Sequence, residues 1–439
     1  MRDLLQQLIS DSLVSPLSHY TRRDARLPAV PGKAAAVVGM RRSGKTTFLW
    51  QCLADRLAAG AAREALLYLN FEDERLVGMQ ATDLQWIVED YYRLAPHLRD
   101  RQRVAFFFDE IQVVAGWEMF ARRLIDTEMA DLFLTGSSAR LLSREVATSM
   151  RGRALEVLIH PFSFREALRH AGTEPAEPCA AWSKALRTEL DGQLRHYLTA
   201  GGFPEVQGVP LRERRELIRS YVDVAVLRDV IERHAVANPL ALRWLQRHLL
   251  SSPATPFSVQ KFYDALRSQG ISTGKDTLHT FLGYLEDSFL IRIVPLHSAS
   301  ERKRMIHPRK VYPVDPGIIP VYERAGRPNL GAALETAILI ELERRGGEVS
   351  YVRTQEGFEV DFLAQSPEGE FLLLQVCADL SDTATRQREV RALLSAAAEF
   401  PMATPLLISL DAIPPQPGLP APLRWQSAAA WLLGCELPG

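Results

Sequence analysis

The chain has 439 residues, 47% hydrophobic and 24% charged, an ordinary globular balance with length for about three domains. Its 52 Lys and Arg against 53 Asp and Glu leave a formal net charge of −1, so a nucleic-acid or membrane partner must be argued from local patches. Four scattered cysteines without a C-x-x-C pair argue against a disulfide framework or zinc site and for a reducing cytoplasm. No uncharged apolar run reaches the ~20 residues that span a bilayer, and MRDLLQQLISDSLVSPL lacks the apolar core of a signal peptide, so no membrane partner is expected.

Residues 1–20 read as an N-terminal helix. The apolar run 34–40 stops at a glycine loop, and the helical pattern TTFLWQCLADRLAAG follows it. Similar runs at 65–71, 103–110, 131–138 and 154–160 alternate with helical segments over 82–97, 116–128 and 138–149. Short, nearly continuous apolar runs mark strands buried on both faces of a parallel sheet, so 21–160 reads as a doubly wound α/β domain. Helical segments at 163–171, 179–199 and 211–236, broken by TEPAEP and GGFPEV, predict a helical lid over 161–236. Residues 237–325 run helix, helix, strand, basic loop, strand, the order of a winged helix. Residues 326–439 give a helix, three strands, a helix and a strand, then a proline-rich stretch at 411–424 that reads as irregular.

The string Gly39-Met40-Arg41-Arg42-Ser43-Gly44-Lys45-Thr46 matches G-x-x-x-x-G-K-[ST] between a predicted strand and a predicted helix. Glycines let backbone N–H groups turn toward phosphate, and the helix N-terminus adds partial positive charge. Gly39 to Thr47 are therefore expected to hold ATP, with Lys45 on the β- and γ-phosphates and the Thr46 hydroxyl on Mg²⁺. Phe106-Phe107-Phe108-Asp109-Glu110 ends a buried run on two carboxylates. Asp109 is expected to hold the magnesium and Glu110 to deprotonate the attacking water. Ser137 or Ser138, at the tip of the next strand, is the candidate γ-phosphate sensor, against a plain helix cap. Arg151 and Arg153 are candidates for an arginine finger acting across a subunit boundary, against ordinary surface arginines.

These strings, with LNFEDERL, RGRALEVLIHPFSFREAL, GAALETAILIELERRG and FEVDF, resemble the AAA-type ATPases of bacteria and archaea that carry a C-terminal domain of unknown function. The resemblance implies a P-loop NTPase core with strand order 5-1-4-3-2, and an ATPase whose site is completed by a neighbour's arginine is expected to assemble in a ring or partial ring. It also implies a lid motif at Gly201-Gly202-Phe203-Pro204 whose Pro204 packs near adenine. It further implies a restriction-endonuclease-like C-terminal domain. There Glu335 and Asp361 would supply acids, but Gln375-Val376-Cys377 stand where E-x-K is needed, so a binding fold is expected rather than a nuclease. Lys275, Arg302, Lys303, Arg304, Arg309 and Lys310 are candidate DNA contacts of the winged-helix segment, against a solvated charge run. Three functions follow: an ATPase acting on DNA, a nucleotide-dependent regulatory or defence switch binding proteins, and a Mg²⁺-dependent nuclease.

Overall fold

The structure, a computed structural model, describes residues 1–17, 19–28, 30–136, 150, 152–323 and 329–436, without the side chains of 305 and 306. Ser137, Ser138, Arg151 and the predicted helix 138–149 lie outside the described residues. The chain divides into two compact units, Met1–Ile159 and His160–Gly439.

In the first unit α1 (Arg2–Val14) precedes β1 (Ala34–Val38), α2 (Lys45–Ala58), β2 (Leu66–Asn70), α3 (Gln85–Leu94) and β3 (Val104–Asp109). Then come α4 (Trp117–Thr127), β4 (Ala130–Gly136) and β5 (Ala154–Leu158). The five strands are parallel in the order β2-β3-β4-β1-β5, the 5-1-4-3-2 arrangement implied by the resemblance. Every residue of β1 and β3 is buried, which explains why these strands read as unbroken apolar runs. Phe107 of β3 stacks on Phe133 of β4 at 4.6 Å between ring centres. Helix α1 is shorter than the predicted 1–20, and it buries Leu5 and Ile9 while Arg2 grips both carboxylate oxygens of Asp90 at 3.0 and 2.8 Å.

The second unit opens with α5 (Phe164–Ala171), α6 (Lys184–Ala200) and α7 (Leu211–Val224). It continues through α8 (Pro239–Ser251), β6 (Pro256–Phe257), α9 (Val259–Ser268), α10 (Lys275–Asp287), β7 (Ile291–Val294), α11 (Glu301–Ile306) and β8 (Arg309–Pro313). Strands β6, β8 and β7 form an antiparallel sheet with β8 in the middle. The stretch expected to be a basic loop is thus partly helical: Ser300 caps α11 through its hydroxyl, which accepts from Lys303 N at 3.4 Å. Helix α12 (Leu330–Arg344) then leads to β9 (Glu348–Arg353), β10 (Glu359–Gln365), β11 (Phe371–Cys377), α13 (Thr383–Glu399) and β12 (Ala403–Ser409). Beyond the proline-rich stretch, β13 (Arg424–Ser427) and α14 (Ala428–Leu432) add a parallel edge strand and a helix that the sequence reading passed over. Phe164, Leu198, Tyr312, Leu334, Phe362, Leu406 and Trp431 share one buried core, so the helices, the small sheet and the C-terminal sheet pack together. The expectation of unpaired cysteines fails at one pair: Cys179 and Cys435, 256 positions apart, form a disulfide. Cys52 and Cys377 are buried thiols.

The Gly201-Gly202 pair is more than a generic turn. A Cβ on Gly201 would fall 2.0 Å from Asp315 Oδ1, and one on Gly202 would fall 2.1 Å from the Phe162 carbonyl. Asp315 is buried and accepts from Gly202 N at 2.6 Å and Gly317 N at 2.9 Å. Burial pushes its carboxyl up from 3.8 to about 7, against the two backbone donors. A folded value above the unfolded one means stability that is fully present below the unfolded value and lost as pH rises through the folded one. The melting advantage of wild type over Asp315→Asn is therefore expected to narrow by roughly 3 kcal/mol between pH 5 and pH 8. A gap independent of pH across that window in thermal melts would contradict the buried-carboxylate account.

Candidate nucleotide-binding site

A parallel sheet gathers the carboxyl ends of its strands on one edge, and the loops there are the natural place for a ligand. The first loop leaves β1. Gly39 takes φ 148, and a Cβ there would lie 2.2 Å from the carbonyl of Ile159. Arg42 (φ 65) and Gly44 (φ 98) are also left-handed, so the backbone coils before α2 begins at Lys45. Lys45 is buried, with Nζ donating to Gly39 O at 3.1 Å and Met40 O at 3.2 Å, folded back over its own loop. Thr46 and Thr47 are exposed in the first turn of α2, where helix N–H groups are unsatisfied. The Ser43 hydroxyl is buried without a hydrogen-bond partner among the described residues. A coiled backbone, an orphaned hydroxyl and a buried ammonium fit a phosphate and its divalent ion. Arg41 is half-buried with its guanidinium 3.8 Å from Glu72, and Arg42 is exposed. Arg23, which the sequence reading missed, donates from Nη1 to Ser43 O at 2.9 Å. Its backbone is clamped from both sides by the Gln51 amide at 2.7 and 3.1 Å. No motif surrounds it, so only packing could reveal it.

Strand β3 delivers the acids. Asp109 is buried, and both its oxygens accept: Oδ2 from the Tyr68 hydroxyl at 2.8 Å and Oδ1 from the Thr135 hydroxyl. Burial and the Asp109 charge hold the Tyr68 hydroxyl protonated, so it stays a donor. The Thr135 oxygen also accepts from Glu110 N at 2.8 Å, so this one side chain ties the two acidic positions together. Glu110 stands at φ 54, a left-handed conformation uncommon outside glycine and concentrated at functional sites. Burial pushes its carboxyl up, the Lys45 ammonium pulls it down, and the Gln112 amide donates to it.

The other predicted positions divide. Ser137 and Arg151 lie outside the described residues. The polar tip that meets the acids is Thr135, two residues before Ser137 and part of β4 itself. Arg153 is half-exposed and paired with Asp126. Pro204 belongs to the second unit, at the start of the turn Pro204–Val206. Arg302 and Lys303 are exposed on α11, Arg304 bonds Glu301 at 2.9 Å, and Arg309 is half-buried. Lys275 is exposed on α10 with its ammonium 5.3 Å above the Tyr263 ring. Lys310 is a correction: it is 2% exposed, and its ammonium faces Asp361 and Glu359 at 2.9 and 2.8 Å, out of reach of an external phosphate. Gln375 donates to Glu389 at 2.7 Å, and Asp361 Oδ2 accepts from Val376 N at 3.0 Å. Among the described residues no helix is long and apolar enough to cross a membrane.

Residues 31–168 match a family model described as an AAA domain, and residues 191–327 match a domain of unknown function, DUF8612. The uncharacterized protein MJ1544 of Methanocaldococcus jannaschii is 32% identical over 394 residues, covering 89% of this chain and 84% of that protein. An uncharacterized protein of Haemophilus influenzae is 30% identical over 352 residues, covering 79% of this chain and 82% of the relative. Among solved structures, the Walker-type ATPase PABY2304 of Pyrococcus abyssi is similar at 14% identity, covering 73% of this chain and 95% of its own, with a TM-score of 0.41. The Orc1 protein of Aeropyrum pernix, solved in complex with DNA, is similar at 15% identity, 73% and 90% coverage, and a TM-score of 0.29. These superpositions are too loose to carry function. The sequence relatives and the sheet order are firmer ground: the chain belongs to the family of these archaeal and bacterial proteins, and its own core is an AAA-type P-loop ATPase domain.

Proposed function

We propose that this protein hydrolyses ATP to ADP and phosphate and couples the cycle to DNA as an oligomer. The observation that carries the hydrolytic half is the junction of Asp109, Glu110 and Thr135 at the same sheet edge as the Lys45 loop. Thr46 and Asp109 would hold Mg²⁺, which when bound neutralises phosphate charge. The loop from Gly39 to Thr46 binds the phosphates through backbone N–H groups, and Lys45 leaves its own carbonyls to reach them. Glu110 takes a proton from water at a carboxylate oxygen, and Thr135 holds the Glu110 backbone so that the acid keeps its place. Arg151 or Arg153 of a neighbouring copy would supply positive charge at the γ-phosphate. Pro204 would pack near adenine. Tyr68→Phe is expected to raise the Mg²⁺ concentration for half-maximal turnover by about tenfold, since it frees one oxygen of Asp109. An unchanged Mg²⁺ titration would remove Tyr68 from the site.

The DNA half is supported by the order helix, strand, helix, helix, strand, connection, strand over residues 239–313, with the sheet order β6-β8-β7 and an exposed basic helix in the connection. That order supports a winged-helix reading, and on it we divide the chain into 1–20, 21–160, 161–236, 237–325 and 326–439. Wild type should shift duplex DNA at low salt. Replacing Arg302, Lys303 and Arg304 together by Ala should reduce the slope of log affinity against log salt by roughly 2–3. No shift at low salt, with or without a slowly hydrolysed ATP analogue, would contradict the DNA reading. One observation favours a protein-binding switch instead: Lys310 is withdrawn into the second unit, which thins the basic face. A protein partner captured only in the ATP state would select that reading.

A further inference from the structure

The withdrawn lysine has chemistry of its own. Lys310 lies on β8, the middle strand of the small sheet, and its ammonium reaches the larger C-terminal sheet. Three carboxylates meet it: Glu359 at 2.8 Å, Asp361 at 2.9 Å and Glu335 at 3.9 Å. Asp361 stands where the pairing of β9 and β10 shifts register between Val360 and Leu363, and a bulge of this kind re-aims a side chain. Tyr312, two residues along the same strand as Lys310, donates from its hydroxyl to Glu335 at 3.2 Å. Converging carboxylates are the donor set that hard divalent cations take. Here a nitrogen stands at their centre, and among the described residues no trio of His, Cys, Asp or Glu is spaced to hold a metal ion as it stands. Glu359 is solvent-exposed, so water screens its charge, and the buried Lys310 ammonium neutralises the buried Asp361. Gln375 turns instead to Glu389 on α13.

We infer that the Lys310 ammonium is the resident cation of the Glu335–Glu359–Asp361 cluster, keying β8 to the C-terminal sheet and closing the cluster to divalent metal. The strand that follows the basic helix α11 is then fastened by an ion pair rather than held by backbone pairing alone. It follows that the C-terminal module performs no Mg²⁺-dependent cleavage.

The test uses the full chain carrying Asp109→Asn, so that the P-loop edge loses its carboxylate metal ligand. Mn²⁺ uptake, read from the loss of the free-ion electron paramagnetic resonance signal, should be the same with and without Asp361→Asn. Lys310→Met should lower the melting temperature by about 10 °C, because a buried ion cluster loses its counter-charge. Added Mn²⁺ should recover part of that loss and leave chains with Lys310 unchanged. An Mn²⁺ ion that Asp361→Asn removes, plasmid nicking lost in Asp361→Asn, or Lys310→Met melting like its parent would each overturn the inference. Should Lys310→Met fail to fold, the double variant with Asp361→Asn decides. Recovery of a folded chain supports the lock, and continued failure beside a folded Asp361→Asn single variant overturns it.

Discussion

Replacing Glu110 by Gln is expected to leave ATP bound and to slow phosphate release by about 10²–10⁴-fold. Gln is nearly isosteric, and the backbone N–H of position 110 can still donate to Thr135, so the loop keeps its shape while the proton acceptor is lost. Burial of the wild-type carboxyl adds a pH signature. Its raised value means that hydrolysis falls off on acidification at a higher pH than an ordinary glutamate would give, because the base is protonated earlier. Binding is checked with a fluorescent nucleotide and turnover by phosphate release on the same preparation. Normal turnover by Glu110→Gln would show that another group accepts the proton.

Lys45→Ala is expected to weaken nucleotide binding until ATP near the wild-type Kd no longer stabilises the chain. A charge-assisted bond to phosphate contributes about 1.5–3 kcal/mol, so losing the ammonium costs at least about ten- to a hundredfold in affinity. The variant also loses the strut from Nζ to the carbonyls of Gly39 and Met40 that ties α2 back onto its own loop. The melting temperature without nucleotide separates the two effects: a chain that melts like wild type yet gains nothing from added ATP has lost binding, not folding. Stabilisation by ATP equal to that of wild type would place the nucleotide elsewhere.

The core of the ATPase unit was legible because its physics is local. Strands buried on both faces show as apolar runs such as Phe106-Phe107-Phe108, and the loop from Gly39 to Thr46 announces itself by glycines and lysine at fixed spacing. Thr135 was missed by two residues. Its role depends on the register of β3 against β4, where Phe108 faces Leu134, and register is not written in either strand alone. Arg23 was missed because its partners, Ser43 and Gln51, lie 20 and 28 positions away. Lys310 looked like part of a basic surface because its carboxylate partners come later in the chain, Asp361 by 51 positions. The pairing of Cys179 with Cys435 and the edge strand β13 beyond the prolines were hidden for the same reason: long-range packing sets them.

The most direct test is phosphate release from ATP with Mg²⁺ at low salt, by wild type and by Glu110→Gln, with and without duplex DNA. The account predicts turnover that Glu110→Gln lacks and that duplex DNA increases. Wild-type phosphate release no faster than that of Glu110→Gln, with DNA and without it, would contradict the account.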